Sequence, residues 1–356
     1  MPLILPATYS PLQTIRPSLS ADARTVVHDS YVKTVATAAA TVGGPPQEPD
    51  YVAELVHSGV AALAAKWRPL LAPHGLSLQI IGVFTHQSPM VEFTGPTGTL
   101  DRCELGDLLL AVRFPGASGT PGVASLVQAK MSTASVATIA GSDPKQHHLY
   151  STWPDLDLWR TSFKNIDIQS SGEQGFLGEI ESVGPTAAAP PSQRVWQMED
   201  FLGTTAQNPL EDLFADLAAG QVGREFYPFT GPRPAPPFIT APSAQDEWNF
   251  LIDYLLNVTF LKVYARARTG VFGRPRGGIV TAFADKTTQL IDGDFSLGIW
   301  PRLLQGATGW TARDRWCART AKEFALRSGG GFPGSTSDDP FEDRGKGFGI
   351  ILIDIR

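Results

Sequence analysis

Two neighbouring apolar runs, "CELGDLLLAVRF" (Cys103–Phe114) and "VASLVQAKM" (Val123–Met131), constrain the fold more than any other part of the chain. Side chains alternate faces along a strand, and both faces of these runs are largely apolar. A strand tolerates that only in a sheet covered on both sides. The short "GASGTPG" connection between the runs predicts an antiparallel hairpin.

Covering elements can be read on either side. "DYVAELVHSGVAALAAKWRPLLAPHG" carries Val52, Leu55, Val56, Val60, Leu63 and Trp67 at helical spacing. It predicts a helix over Tyr51–Trp67, with Asp50 as N-cap and a stop near Pro69 or "APHG". "LSLQIIGVFT" (Leu76–Thr85) and "MVEFTGPTG" read as strands. "DPKQHHLYSTWPD" predicts a helix over Pro144–Thr152 ended by Pro154, and "GFLGEIESVG" one more strand. The order describes an α/β (α+β) core, a mixed central sheet flanked by helices.

Turn chemistry divides the chain. Residues 1–50 form an N-terminal extension that ends in "VGGPPQEPD", 51–183 the core, and 184–193 ("GPTAAAPPSQ") a linker. Residues 194–356 form an additional C-terminal α+β region, read as recognising substrate or partners. It contains a helix near Asn208–Ala219 and the buried helix of "DEWNFLIDYLLNVTFLKVYARA". It also contains strands in "GGIVTAFAD" and "GFGIILIDIR" and a helix in "RDRWCARTAKEFALR".

Composition excludes several classes. Hydrophobic content of 42% and charged content of 18% describe a globular chain, and 35 Gly with 29 Pro imply many turns. Two cysteines build neither a disulfide framework nor a four-cysteine zinc site. No run of about 18 apolar residues predicts a membrane span. "MPLILPATYSPLQTIRPSLS" lacks a charged n-region and does not read as a signal peptide, so a reducing cytoplasm is the expected location. The formal net charge is -6, yet residues 243–331 hold twelve Lys and Arg against eight Asp and Glu. A polyanionic partner would meet that local excess.

The hairpin carries the chemistry. Gln128 and Lys130 share a strand face, and Asp107 lies in the facing run. Where the strands pair near those positions, a carboxylate, an amide oxygen and an ammonium converge. Carboxylate and amide oxygens suit a hard divalent cation such as Mg²⁺. The ammonium can hold an attacking water and balance charge on a phosphate. The competing reading puts Gln128 and Lys130 at the solvent end of a strand and Asp107 in a "GD" turn.

The helix, the strands and the Asp then Gln-x-Lys order resemble the PD-(D/E)xK nuclease superfamily, the restriction-endonuclease-like fold. The similar variant is the Q-x-K one of Mrr-like restriction enzymes and anti-phage effector nucleases. The resemblance spans Tyr51–Val183 and implies a Mg²⁺- or Mn²⁺-dependent endonuclease. It matches Asp107 to the motif aspartate, Gln128 to the usual acidic position and Lys130 to the motif lysine. It also implies a nucleic-acid substrate, DNA ahead of RNA, and a role in anti-phage defence beside a second copy or a partner protein. Gly106 stands where proline is usual, and Gln128 replaces an acid, so another acid must help hold metal.

Glu54, Glu92 and Glu104 compete for that place, and the family position favours Glu54, making the implied metal ligands Asp107, Gln128 and Glu54. Glu104 and Asp107 differ by an odd number, so one regular strand would point them to opposite faces. The other class of reading is a non-catalytic nuclease-fold protein acting as a nucleic-acid-binding or assembly subunit. It gains from the acidic pI of about 5.5 and the missing carboxylate.

Other residues are secondary. Gln146 and Tyr150 lie one turn apart and either line the cleft beside Lys130 or pack. His147 and His148 diverge by about 100° on a helix and fit a solvated face better than one ion. "GVFGRPRGG" is no ATP-binding loop but offers Arg274 and Arg276 to a phosphate backbone. Lys262, Arg266 and Arg268 precede them at a helix C-terminus, where cations are favoured.

Overall fold

A computed structural model describes residues 10–41, 48–85, 88–114, 122–128, 131–132, 144–159, 176–181, 196–199, 210–226, 248, 251, 252, 255, 341–342 and 348–355. In chain order, helix α1 covers Ser10–Thr41 and α2 Glu48–Glu54. A π-helical turn at Leu55–Gly59 leads into α3 (Val60–Leu71) and a 3₁₀ turn at Ala72–His74. Strands β1 (Leu78–Thr85), β2 (Ser88–Thr94), β3 (Leu100–Glu104), β4 (Leu108–Arg113), β5 (Gly122–Gln128) and β6 (Met131–Ser132) follow. Next are α4 (Pro144–Thr152), β7 (Leu156–Leu158), β8 (Phe176–Glu181), β9 (Trp196–Glu199) and α5 (Leu210–Ala218). The described chain closes with β10 (Arg224–Phe226), β11 (Phe341–Glu342) and β12 (Phe348–Ile355). Mixed helices and strands around a mixed sheet make the protein α+β.

The expected hairpin is present. Strands β4 and β5 pair antiparallel from Leu108↔Val127 to Arg113↔Gly122. Every residue of β5 is buried, as the apolar run demands. The large sheet runs β1-β12-β4-β5-β8-β6, with β10 also on β5 and β9 on β8. Strand β12 lies antiparallel to β1 and parallel to β4. Its insertion brings "GFGIILIDIR", from beyond the expected 184–193 linker, into the middle of the core sheet. All eight of its residues are buried.

The run Cys103–Phe114 is not one strand. It breaks after Glu104, and β3 joins β2, β7 and β11 in a second sheet while β4 enters the large one. Gly106 and Asp107 fall in the crossing between sheets. The expected helix over Tyr51–Trp67 starts earlier, at Glu48, so Asp50 sits inside its first turn rather than at the N-cap. It also runs past Pro69 to Leu71, interrupted by the π turn.

Two cores cover the large sheet. On one face Leu108, Leu110, Val127 and Ile351 pack under α1, α3 and α5. Gly349 makes close approach possible there: a Cβ on it would lie 2.9 Å from Val52 and 3.0 Å from Val56. The N-terminal extension therefore belongs to this layer, through α1. Trp67 Nε1 donates to Leu19 O at 3.0 Å. A polar seam joins α1 to α5: Arg16 to Asp216 at 2.6 Å, Ser20 to Asp212 at 2.6 Å and Arg24 to Glu211 at 2.9 Å.

On the other face Leu109, Leu126, Ile350 and Leu352 meet α4 and the second sheet. Trp248, Leu251, Ile252 and Leu255 are helical, buried and spaced for one helix face, as expected of "DEWNFLIDYLL". The expected elements over 277–285 and 313–327 lie outside the described residues. Among the described residues no helix is long and apolar enough to cross a membrane.

Candidate active site

The hairpin register positions the first two site residues. With Leu108 opposite Val127, the next pair outward is Asp107 and Gln128, and the Asp107 N–H donates to Val127 O at 3.0 Å. By alternation both side chains point to the face that carries Leu109 and Leu126. The Gln128 Nε2 donates to Asp107 Oδ2. Gln128 is 0% exposed and Asp107 4%. Gln128 is therefore not at a solvent end, whereas Asp107 does lie in the Gly106–Asp107 turn of the competing reading, buried rather than exposed.

The oxygen end of the amide is the unusual atom. Gln128 Oε1 is buried and has no hydrogen-bond partner among the described residues. A buried acceptor left unmade costs about 1–3 kcal/mol. The amide's two ends are interchangeable by rotation, so one orientation gives Asp107 a donor. The other gives a shared point two oxygens. The second orientation suits a hard cation, a water or a cationic donor.

Helix α4 closes the site from above, as the Pro144–Thr152 reading anticipated. Tyr150 is fully buried, and its hydroxyl donates to Leu105 O at 2.5 Å. The same oxygen would lie 2.9 Å from a Cβ on Gly106. A side chain at 106 would have to displace that hydroxyl. Burial, and then the nearby Asp107, Cys103 and Glu104, push the Tyr150 phenol well above its ordinary value of 10.0. The ring lies 4.9 Å from that of Trp153. Trp153 ends α4 at φ 42, a left-handed conformation that a bulky residue holds only under tight packing. Of the two readings of Tyr150, packing is seen, since the ring is fully buried in the core; the other, beside Lys130, falls on a residue outside the described ones. Gln146 is buried on the same helix, 1% exposed.

Glu54 occupies a different setting. It is 0% exposed, and its Oε1 lies 2.7 Å from Lys33 Nζ on α1. The approach is that of an ion pair rather than a directed hydrogen bond, and Oε2 has no partner among the described residues. Lys33 also donates to Ser58 Oγ in the π turn. The neighbours of Glu54 at positions 52 and 56 pack on the opposite sheet face from Asp107 and Gln128. Glu104 ends β3 and is buried at 4%. The chain breaks between it and Asp107, so parity along a single strand does not apply to the two. Glu92 sits in β2, opposite Arg102 and Asp157, and is half-buried.

Lys130, Lys262, Arg266, Arg268, Arg274 and Arg276 lie outside the described residues. Among the described residues no group of three or more His, Cys, Asp or Glu side chains is gathered as a metal site. No family model, no curated protein and no solved structure matches this chain.

Proposed function

We propose that the protein is a metal-dependent nuclease that hydrolyses phosphodiester bonds, built on a restriction-endonuclease-like core. One observation carries the reading: Asp107 and Gln128 face each other across a buried hairpin, with an unpartnered amide oxygen beside the carboxylate. These two residues would hold a Mg²⁺ or Mn²⁺ ion. When bound, such an ion polarises the phosphodiester and lowers the pKa of an attacking water. Lys130, two residues beyond Gln128, would orient that water and balance charge on the phosphate. Tyr150 fixes the Leu105–Asp107 crossing and keeps bulk water from the Asp107 side. DNA ranks ahead of RNA by family analogy, as does a role in anti-phage defence.

The grip on nucleic acid is assigned to the basic segment with Lys262, Arg266, Arg268, Arg274 and Arg276. Replacing Arg274 and Arg276 by alanine should lower the slope of log affinity against log salt by about one unit per lost phosphate contact. An unchanged slope would put the grip elsewhere.

The direct test is nicking of a supercoiled plasmid by pure protein with Mg²⁺. Lys130→Ala should slow single-turnover cleavage on the order of 10² to 10³-fold while binding changes little. A non-catalytic binding or assembly subunit is the second reading, favoured by the pairing of Glu54 with Lys33. No nicking with either metal, alongside intact DNA binding, would establish it instead.

A further inference from the structure

Asp107 lies just outside β4, yet both of its backbone groups are committed to neighbouring strands. Its N–H donates to Val127 O of β5 at 3.0 Å, and its carbonyl oxygen accepts from the Gly349 N–H of β12 at 2.8 Å. The second bond extends the parallel ladder in which Gly349 stands opposite Leu108. One residue outward in that register Phe348 comes level with Asp107, 0% exposed and in the core that holds Tyr150. The carboxylate is therefore carried on a main chain gripped from both sides by strands far apart in sequence.

The grip from β12 depends on how closely that strand approaches the helices behind it. By alternation residue 349 shares a face with Ile351 and Ile353, the face under α2 and the π turn and opposite to that of Gln128. A Cβ on Gly349 would lie 2.9 Å from Val52 Cγ1, 3.0 Å from Val56 Cγ2 and 3.1 Å from Leu108 Cδ1. Val52 and Val56 are buried and β-branched, so neither can swing aside freely. A methyl group at 349 would lift the start of β12 and stretch its bond to Asp107.

We propose that Gly349 is a positioning residue for Asp107. Its missing side chain seats β12 against Val52 and Val56, and its N–H holds the Asp107 main chain where the carboxylate meets the Gln128 amide. The inference rests on the reading of Asp107 and Gln128 as a metal-holding pair. Its distinctive consequence is that a methyl on the opposite face of the sheet, touching neither side chain of the pair, reaches the site through one main-chain bond. Groups that orient a metal ligand without touching the metal change affinity or activity by about 10- to 100-fold.

The test follows the amide of residue 349 and Mn²⁺ binding together, in the full chain. Hydrogen exchange at that amide, read by NMR, should be slow in wild type and about tenfold or more faster in Gly349→Ala. Mn²⁺ affinity, read from the electron paramagnetic resonance signal of free Mn²⁺, should fall about tenfold or more in the same variant. Adding Val52→Ala removes the nearest obstruction and should restore both readouts, whereas Val52→Ala alone should bind Mn²⁺ like wild type. Ile353→Val, farther along β12 on the same face, should lower thermal stability and leave Mn²⁺ affinity unchanged. That control separates positioning from a general weakening of the strand. Circular dichroism establishes that each variant is folded. Should Gly349→Ala not fold, Val52→Ile presses on the same point from α2 and should give a smaller change of the same sign. Wild-type Mn²⁺ affinity in the folded variant, with affinity lost in Asp107→Asn, overturns the role of Gly349 and keeps the pair. Wild-type affinity in Asp107→Asn overturns the pair, and the role of Gly349 with it.

Discussion

The two ends of strand β4 present the same sheet face with opposite solutions to a buried aspartate. At the far end Asp354 of β12 lies directly across from Arg113 and pairs with it at 3.7 Å. At the near end, six residues and about 20 Å away along the strand, Asp107 receives its hydrogen bond from the Gln128 amide. Both aspartates are buried, at 2% and 4%. The first is balanced by a guanidinium that carries a fixed charge. The second is met by a neutral amide, whose oxygen has no hydrogen-bond partner among the described residues. The difference is between an ion pair at one end of the strand and a neutral hydrogen bond at the other.

Exchanging the acids for amides should break this comparison most visibly. Asp107→Asn should abolish Mg²⁺-dependent cleavage and change unfolding free energy little, since an amide can still accept from Gln128. Asp354→Asn should do the reverse. It removes the charge that faces Arg113 and should cost up to about 3 kcal/mol, the low end for a broken buried pair because the partners are 3.7 Å apart. Plasmid nicking and urea titration of both variants settle the matter. Equal loss of stability in the two would make Asp107 structural.

Gly106→Ala sharpens the same contrast. The added methyl would lie 2.9 Å from the hydroxyl of a fully buried tyrosine, and overpacking of that kind costs about 1–3 kcal/mol. Removing the obstructing oxygen should relieve it, so Gly106→Ala with Tyr150→Phe should be more stable than the sum of the single changes predicts. Strict additivity in a thermal-denaturation cycle would show that the two residues do not press on each other.

Much of this architecture was legible, for identifiable reasons. Pro144–Thr152 is the helix predicted because a proline fits its first turn and Pro154 stops it. The β4–β5 hairpin followed from two apolar runs and a short connection, and with it the meeting of Asp107 and Gln128. Helix α1 was not foreseen. Its buried stripe runs through Leu12, Leu19, Ala23, Val26, Ser30 and Thr34, and small polar residues blur the contrast that periodicity needs. Pro17 inside it argued for a break. "GFGIILIDIR" declared itself a buried strand, but no local signal says that it enters between β1 and β4. The ion pair of Glu54 with Lys33 depends on that unseen helix, so no sequence signal announced it.

The smallest expected effect concerns Tyr150 and alkaline pH. Its folded phenol is raised well above 10.0, whereas an unfolded one titrates near 10. Between those values the folded state keeps a proton that the unfolded chain has released. Stability from Tyr150 is therefore complete below pH 10 and falls as pH rises above it, by up to about 1.4 kcal/mol per unit for one proton. Near neutral pH, Tyr150→Phe should lose about 0.5–1.5 kcal/mol with the bond to Leu105 O. Above pH 10 the variant escapes the proton penalty, so its deficit against wild type should shrink. Asp354→Asn, at the far end, changes no group that titrates there, and its deficit should hold constant. Urea titrations at pH 8 and pH 10.5 measure both. Parallel behaviour of the two variants would mean that the phenol is not confined beside the carboxylates, and the two ends of the strand would then differ in composition alone.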